Sequence, residues 1–467
     1  MRRISSRGSP LGERSTISII LALAWPAIVE QALQTIVHYI DTAMVGSLGV
    51  HATASVGMTA SVTWLSNAPL WSMGIGVLAC VARSFGAKDE KGLHTLAQQA
   101  IFLALVLGAL NTMVTEVIAP FLPRWLRAEP GLHRDGYLYY AIICSPYVFR
   151  SMAFILASVL RGVGDTRSPM RINLGMNLIN VSLNYLFIYP KHEVSLLGFS
   201  FSMPGFGWGV TGAAAATAIS IVFSGIAMFI CVLKNPVLSP RSIPWRVDRK
   251  VMGKCVRIGL PVMLQNLCVF SGHVIFSSLV TSMGETILAT HTIAITSEQA
   301  FYIPGFGMQA SASTLCGNCV GERNEAKLDK ISRTILLMSM GMMTVTGAVL
   351  FAIPDTMMSL FTRDPDVIRG GISVLRMVAC SEPFYAAMII FEGIFHGVGQ
   401  TRYPFFVSLF TMWVLRVGGS ALCISLFGAN LQAVWACMIC DNVGRAFLLA
   451  IRYFRGNWKR SLRLDQA

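Results

Sequence analysis

Apolar stretches of membrane-crossing length follow one another along almost the whole of this chain, and they leave no room for a sizeable soluble domain. Crossing a hydrocarbon core of about 30 Å takes about 20 consecutive, mostly apolar residues in a helix. About twelve stretches meet that length, beginning near Ile17, Ala52, Leu93, Tyr137, Ser168, Trp208, Val251, Ile287, Leu328, Ile372, Pro404 and Asn430. Their apolar runs are continuous, whereas strands of a membrane barrel alternate over segments of about ten residues, so helices are predicted. Composition agrees, since 54% hydrophobic and 13% charged residues fall far from a soluble domain with about 25% charged. The expected fold class is an all-α membrane protein of about 12 transmembrane helices.

A net charge of +14 raises the question of nucleic acid, but the basic residues alternate between loops instead of forming one basic domain. One set holds Arg2, Arg3, Arg7 and Arg14, then Arg83, Lys88 and Lys91, then Arg161, Arg167 and Arg171. It continues through Lys234, Arg241, Arg246, Arg249 and Lys250 to Arg323, Lys327, Lys330 and Arg333, and ends with Arg452, Arg455 and Lys459. The opposite loops carry little beyond Arg124, Arg127, Arg134, Lys191, Arg363 and Arg369. The positive-inside rule therefore places both termini in the cytoplasm. The opening MRRISSRGSP runs straight into the first stretch, which is short for an organelle transit peptide. The 11 cysteines lie mostly in the apolar stretches, and the lone CxxC, Cys316 and Cys319, lacks the second pair or histidines that a metal site needs. No metal or cofactor is expected.

The chain also matches itself at a constant offset of 235 residues. Pro26 pairs with Pro261, His38 with His273, Gly49 with Gly284, Pro69 with Pro304 and Gly86 with Gly321. GVGDTRSP (Gly162 to Pro169) faces GVGQTRYP (Gly397 to Pro404) with six identities in eight. Six spans per half is an even number, so the halves are parallel repeats related by a pseudo-two-fold axis along the membrane normal. The expected organisation is a cytoplasmic tail 1–16, a six-helix bundle 17–233, a linker 234–250 that lets the bundles rock, a second bundle 251–454 and a basic tail 455–467.

Several segments in this order resemble the multidrug and toxic compound extrusion (MATE) family. They are WPAIVEQALQTIVHYIDTAMVGSLG, ARSFGAKDEKG, RGVGDTRSP, NVSLNYLFIY, GVTGAAAAT and WACMICDNVGRAFLLAIRYFRGNW, and together they cover essentially the whole chain. The resemblance, closest to the proton-coupled DinF-like branch, implies a secondary active antiporter that exports small organic, often cationic or amphipathic compounds against H⁺ or Na⁺. It implies a monomer in the plasma membrane, the inner membrane of a bacterium, with no nucleotide or nucleic acid as partner. Consistent with that, no Gly-Lys-Ser/Thr phosphate loop occurs.

Charges inside spans cost about 2.5 to 3.5 kcal/mol at a helix centre, which makes an intramembrane carboxylate a functional candidate. On the first helix Glu30, Gln34, His38 and Asp41 share one face by their spacing of 4, 4 and 3. On the fifth, Asn173, Asn177, Asn180 and Asn184 share another, and four amides facing lipid would be untenable. Asp41 is then expected within a cage of Gln34, Asn180 and Asn184; interhelical hydrogen bonding alone is the bland alternative. The resemblance adds Tyr139 and Thr217, and it supports Asp41 because proton-linked members carry an Asp there. Some members have a second Asp where this chain has Asn184, and sodium-linked members have a seventh-helix Glu where this chain offers Gln265, Asn266 and His273. Glu298, Glu382, Glu392 and Asp441 are a possible second cation site or helix-end carboxylates. A flippase for a lipid-linked or polysaccharide precursor is the alternative function, for which a strongly basic cavity is expected. A channel lacks its filter loop here, and a membrane enzyme lacks clustered His and carboxylates.

Overall fold

The computed structural model describes residues 15–126, 128–196, 199–428 and 430–459. Ten helices of 22 residues or more, with several shorter ones, dominate the described residues. The first half of the chain holds α1 (Thr16–Gly46), α2 (Val50–Gly86), α3 (Glu90–Ile118), the short α4 (Leu122–Trp125), α5 (His133–Cys144), α6 (Tyr147–Gly162), α7 (Arg167–Ile188) and α8 (Gly209–Lys234). The second holds α9 (Arg249–Thr281), α10 (Glu285–Gly321), α11 (Glu325–Ala352), the short α12 (Pro354–Ser359), α13 (Pro365–Gly397), α14 (Arg402–Phe410), α15 (Gly419–Phe427) and α16 (Leu431–Phe454). A π-helical turn, Thr411–Gly418, joins α14 to α15. Among the described residues nine helices are long and apolar enough to cross a membrane, or ten when α5 and α6, bent by 47°, count as one span. Pro146 lies at that bend, where it can donate no backbone hydrogen bond and restricts the residue before it. α7 and α10, with 22 and 37 residues, have the length but not the composition. Val117 (64% exposed), Leu337 (69%) and Phe447 (65%) show the apolar surface that such helices present to lipid tails.

One element departs from an all-helical reading. β1 (Pro190–Leu196) and β2 (Phe199–Phe206) form an antiparallel hairpin between α7 and α8, with Glu193 opposite Ser202 and Val194 opposite Phe201. The Gly207 N–H donates to the Tyr189 carbonyl at 2.9 Å and the Trp208 N–H to the Phe187 carbonyl at 2.8 Å, so the hairpin closes onto the end of α7.

The duplication reaches the backbone. Asp89 caps α3 by accepting from the Gly92 N–H at 2.9 Å, and Asn324, 235 positions on, caps α11 by accepting from the Lys327 N–H at 2.9 Å. Such a cap contributes about 1 kcal/mol. Immediately before each cap a non-glycine residue has positive φ, Lys88 at 56° and Arg323 at 54°. Equivalent turns use glycine for the same purpose, with Gly49 at 107° and Gly284 at 115°.

The chain divides into two compact units. One contains residues 32–81 and 89–263; the other contains the described part of 1–31 together with 82–88 and 264–467. In lipid the helices gain little from burying apolar surface against one another, so close backbone approach at small residues matters. In the second unit a Cβ on Gly307 would lie 2.7 Å from the Ile28 backbone nitrogen, and one on Gly321 would meet the Arg83 carbonyl. In the first unit Gly225 lets Phe149 approach in the same way.

The stretch 234–250, expected as the linker between the bundles, is hydrogen-bonded to α3. Gln98 Nε2 donates to the Pro244 carbonyl at 3.0 Å, Gln99 Nε2 donates to the Arg246 carbonyl at 2.8 Å, and Gln99 Oε1 accepts from the Asp248 N–H at 2.9 Å. The Trp245 ring stands edge-on to Phe102 at 5.8 Å. The prolines stiffen this strap, and two buried glutamines bind its carbonyls.

Candidate cation and substrate site

In the unit containing residues 32–81 and 89–263, α1, α7 and α8 bring Asp41, Asn180, Asn184 and Thr217 together. Asn184 Nδ2 donates to Asp41 Oδ1 at 2.6 Å and lies 3.3 Å from Asn180 Oδ1, while Asn180 Nδ2 donates to Thr217 Oγ1 at 3.2 Å. The chain of bonds runs from a carboxylate through two amides to a hydroxyl. Local sequence explains its position: on α7 Asn177, Asn180 and Asn184 are buried at 4%, 4% and 1%, while Leu174, Leu178 and Tyr185 cover the outward face. That is one polar stripe at helical spacing. Asn184 Oδ1 is buried and without a hydrogen-bond partner, as is Asn177 Nδ2. Tyr139, on α5, packs against the apolar cluster that includes Met44 and Val45, one turn past Asp41. Gln34 makes no hydrogen bond to this cluster among the described residues, and Glu30 belongs to the other unit. A separate open depression of about 460 Å³, lined by His51, Arg134, Asp135 and Trp208 among others, does not include Asp41.

The other unit contains a larger polar cluster. Arg445 Nη2 donates to Asp441 Oδ1 at 3.0 Å across one turn of α16, and Arg445 Nη1 lies 3.9 Å from Glu392 Oε1 on α13. Glu392 also accepts from Gln265 Nε2 at 3.0 Å, and that amide lies 3.0 Å from Ser408 Oγ. From the π-helical turn, Arg416 Nε reaches Asp441 Oδ2 at 2.8 Å and its Nη2 donates to Asn442 Oδ1 at 3.0 Å. Arg416, Asp441 and Arg445 are at most 6% exposed. Glu298 and Glu382 are also buried, and both Glu382 oxygens are without a hydrogen-bond partner. Of the four carboxylates named as a possible second cation site or as helix-end carboxylates, Asp441 and Glu392 lie against arginine side chains. No group of three His, Cys, Asp or Glu among the described residues is arranged to hold a metal ion.

The sequence reading passed over Arg416 and Arg445, having used basic residues only to orient loops. Their signal was present. Arg416 interrupts the apolar run FTMWVLRVGGSALCISLF, and Arg445 follows Asp441 by four residues, the spacing of a helical ion pair.

An internally repeated, multi-pass helical protein with ionisable clusters buried in its spans is of the class that carries solutes across bilayers. The family comparison is specific about which. The MatE family model matches residues 26–186 and again 261–422, and the chain belongs to that family of membrane transporters. Its two matched segments begin 235 residues apart, which is the internal repeat. The chain is 26% identical over 448 residues to the probable multidrug resistance protein NorM of Thermotoga maritima, covering 94% of this chain and 93% of that protein. It is 25% identical over 464 residues to the multidrug resistance protein PmpM of Pseudomonas aeruginosa, covering 96% and 93%. Among solved structures, a MATE protein in complex with MaL6 superposes with a TM-score of 0.87 at 22% identity, covering 96% of this chain and 98% of that one. A MOP superfamily transporter from Pyrococcus furiosus, whose reversed pocket polarity suggests a different function for it, superposes with a TM-score of 0.86 at 23% identity, covering 96% and 97%. These two likenesses establish the fold.

Proposed function

We propose that this chain is a secondary active antiporter that exports small organic, cationic or amphipathic compounds by alternating access, in exchange for H⁺ taken up at Asp41. The reading includes twelve spans in two six-helix bundles, cytoplasmic termini, a bacterial inner membrane and function as a monomer of the proton-coupled branch. The observation that carries it is the hydrogen-bonded series Asp41, Asn184, Asn180 and Thr217.

Its chemistry suits a proton. Ionised Asp41 accepts from the Asn184 amide N–H. Protonated Asp41 needs an acceptor, and Asn184 Oδ1 is an unpartnered one on the same amide. A protonated carboxyl also keeps a carbonyl oxygen that accepts, so the Asn184 amide N–H has its partner in either state. Antiport then follows by linkage: the proton favours one conformation, a cationic substrate the other, and neither is held equally in both. The names of NorM and PmpM support a multidrug substrate range, and the inherited Asp supports H⁺ over Na⁺.

The test is drug transport by purified protein in liposomes. A pH gradient should drive ethidium uptake by the wild type and not by Asp41→Asn. Uptake driven equally well by a sodium gradient with no pH gradient would overturn proton coupling, and unchanged uptake by Asp41→Asn would remove Asp41 from the mechanism.

A further inference from the structure

The cluster built around Asp441 has a charge balance that bears on ion choice. Arg416 and Arg445 supply two positive charges; Asp441 and Glu392 supply two negative ones. Asp441 is 0% exposed and Arg416 5%, and a buried ion must be paired or its cost is prohibitive. The surroundings of the Arg416 guanidinium are those of a bound cation. Besides Asp441 Oδ2 and Asn442 Oδ1, it has His273 Nδ1 at 3.4 Å from Nη1 and the face of the Phe276 ring at 5.8 Å. Carboxylate and amide oxygens are ligands that a small hard cation also uses. What delivers the side chain is the π-helical turn, a local unwinding of the kind that marks functional positions in helices.

We propose that Arg416 is a built-in cation: its guanidinium permanently occupies the place between Asp441 and Asn442 that an exchangeable metal ion would take, and so denies this unit a sodium site. The proposal rests on the antiport reading in one respect, that it explains why coupling falls to the Asp41 cluster. It makes Arg416 a specificity-determining residue for the driving ion. Removing the guanidinium leaves the cluster one positive charge short, with oxygens already arranged around the gap. Removing Asp441 as well restores the balance, because Arg445 then faces Glu392 alone.

Equilibrium binding of radioactive sodium to the purified full chain tests this without requiring transport, so failure of the antiport reading leaves the outcome interpretable. Wild type should show no saturable sodium binding. Arg416→Gln should show it, with an affinity gain of at least about tenfold, as expected for deleting a unit charge near a cation site of moderate effective dielectric. Arg416→Gln/Asp441→Asn should lose it again. Saturable binding by the wild type that Asp441→Asn abolishes would overturn the proposal, and so would Arg416→Gln behaving as wild type. Where Arg416→Gln gives too little protein, its thermal midpoint in detergent extracts decides. Sodium chloride, compared with choline chloride, should raise the midpoint of that variant and not of the wild type; equal midpoints for the variant in both salts refute the idea.

Discussion

Replacing Gln99 by leucine should release the strap 234–250 from α3 without disturbing the helix. Gln99 is 1% exposed and makes two hydrogen bonds to the strap's backbone, to the Arg246 carbonyl and the Asp248 N–H. Leucine has nearly the volume of glutamine, so packing within α3 is kept. Arg246 and Asp248 are themselves exposed, so their freed backbone groups turn to water and incur no burial penalty. The loss is then about 0.5 to 1.5 kcal/mol per bond, about 1 to 3 kcal/mol together. That corresponds to roughly a 5- to 150-fold rise in the population of detached strap. Hydrogen–deuterium exchange of purified protein, followed in peptides covering residues 239–252, reads it directly as faster exchange at Asp248 and its neighbours. Unchanged exchange there would refute the reasoning, showing that Trp245 on Phe102 and Gln98 on Pro244 hold the strap unaided. Acceleration along α3 as well would show a loss of fold instead.

Other outcomes follow from the packing. Gly321→Ala places a methyl group against the Arg83 carbonyl and 2.8 Å from the Ala87 nitrogen, an overpacking of about 1 to 3 kcal/mol, read as a lower midpoint in a detergent thermal-stability assay; an unchanged midpoint refutes it. Trp458 is fully buried, stacked at 5.2 Å on Tyr453, and donates to the Tyr453 carbonyl at 2.7 Å. Trp458→Ala should cost about 3 to 5 kcal/mol locally and expose the C-terminal end of α16 to limited proteolysis, whereas wild-type resistance in the variant would contradict that anchoring role.

Helical spacing placed Asp41, Asn180 and Asn184 on faces that meet, which made most of that cluster legible in advance. The same rule puts Gln34 on that face as well. It shares a face with Asp41 but lies seven residues away, about 10.5 Å along the helix axis at 1.5 Å per residue, and a shared face is not a shared height. The hairpin at 190–206 carries its signal in the alternation of EVSL and FSFSM, a period of two too short to stand out between long apolar runs. Nothing in 234–250 itself announces the two glutamines of α3 that bind its backbone. The π-helical turn is the least legible element. Thr411–Gly418 carries no Pro or paired-glycine signal within it that would announce a break in helical pitch.

That turn also lies within the longer of the two repeated segments. The MatE matches start 235 residues apart and end 236 apart, at 186 and 422. At an offset of 236 Arg416 pairs with Asn180, and at 235 Phe276, on whose ring Arg416 rests, pairs with Asp41. One half therefore holds an acid among amides where the other holds a guanidinium over an arene. The repeated halves share a backbone plan and have opposite electrical characters at corresponding positions.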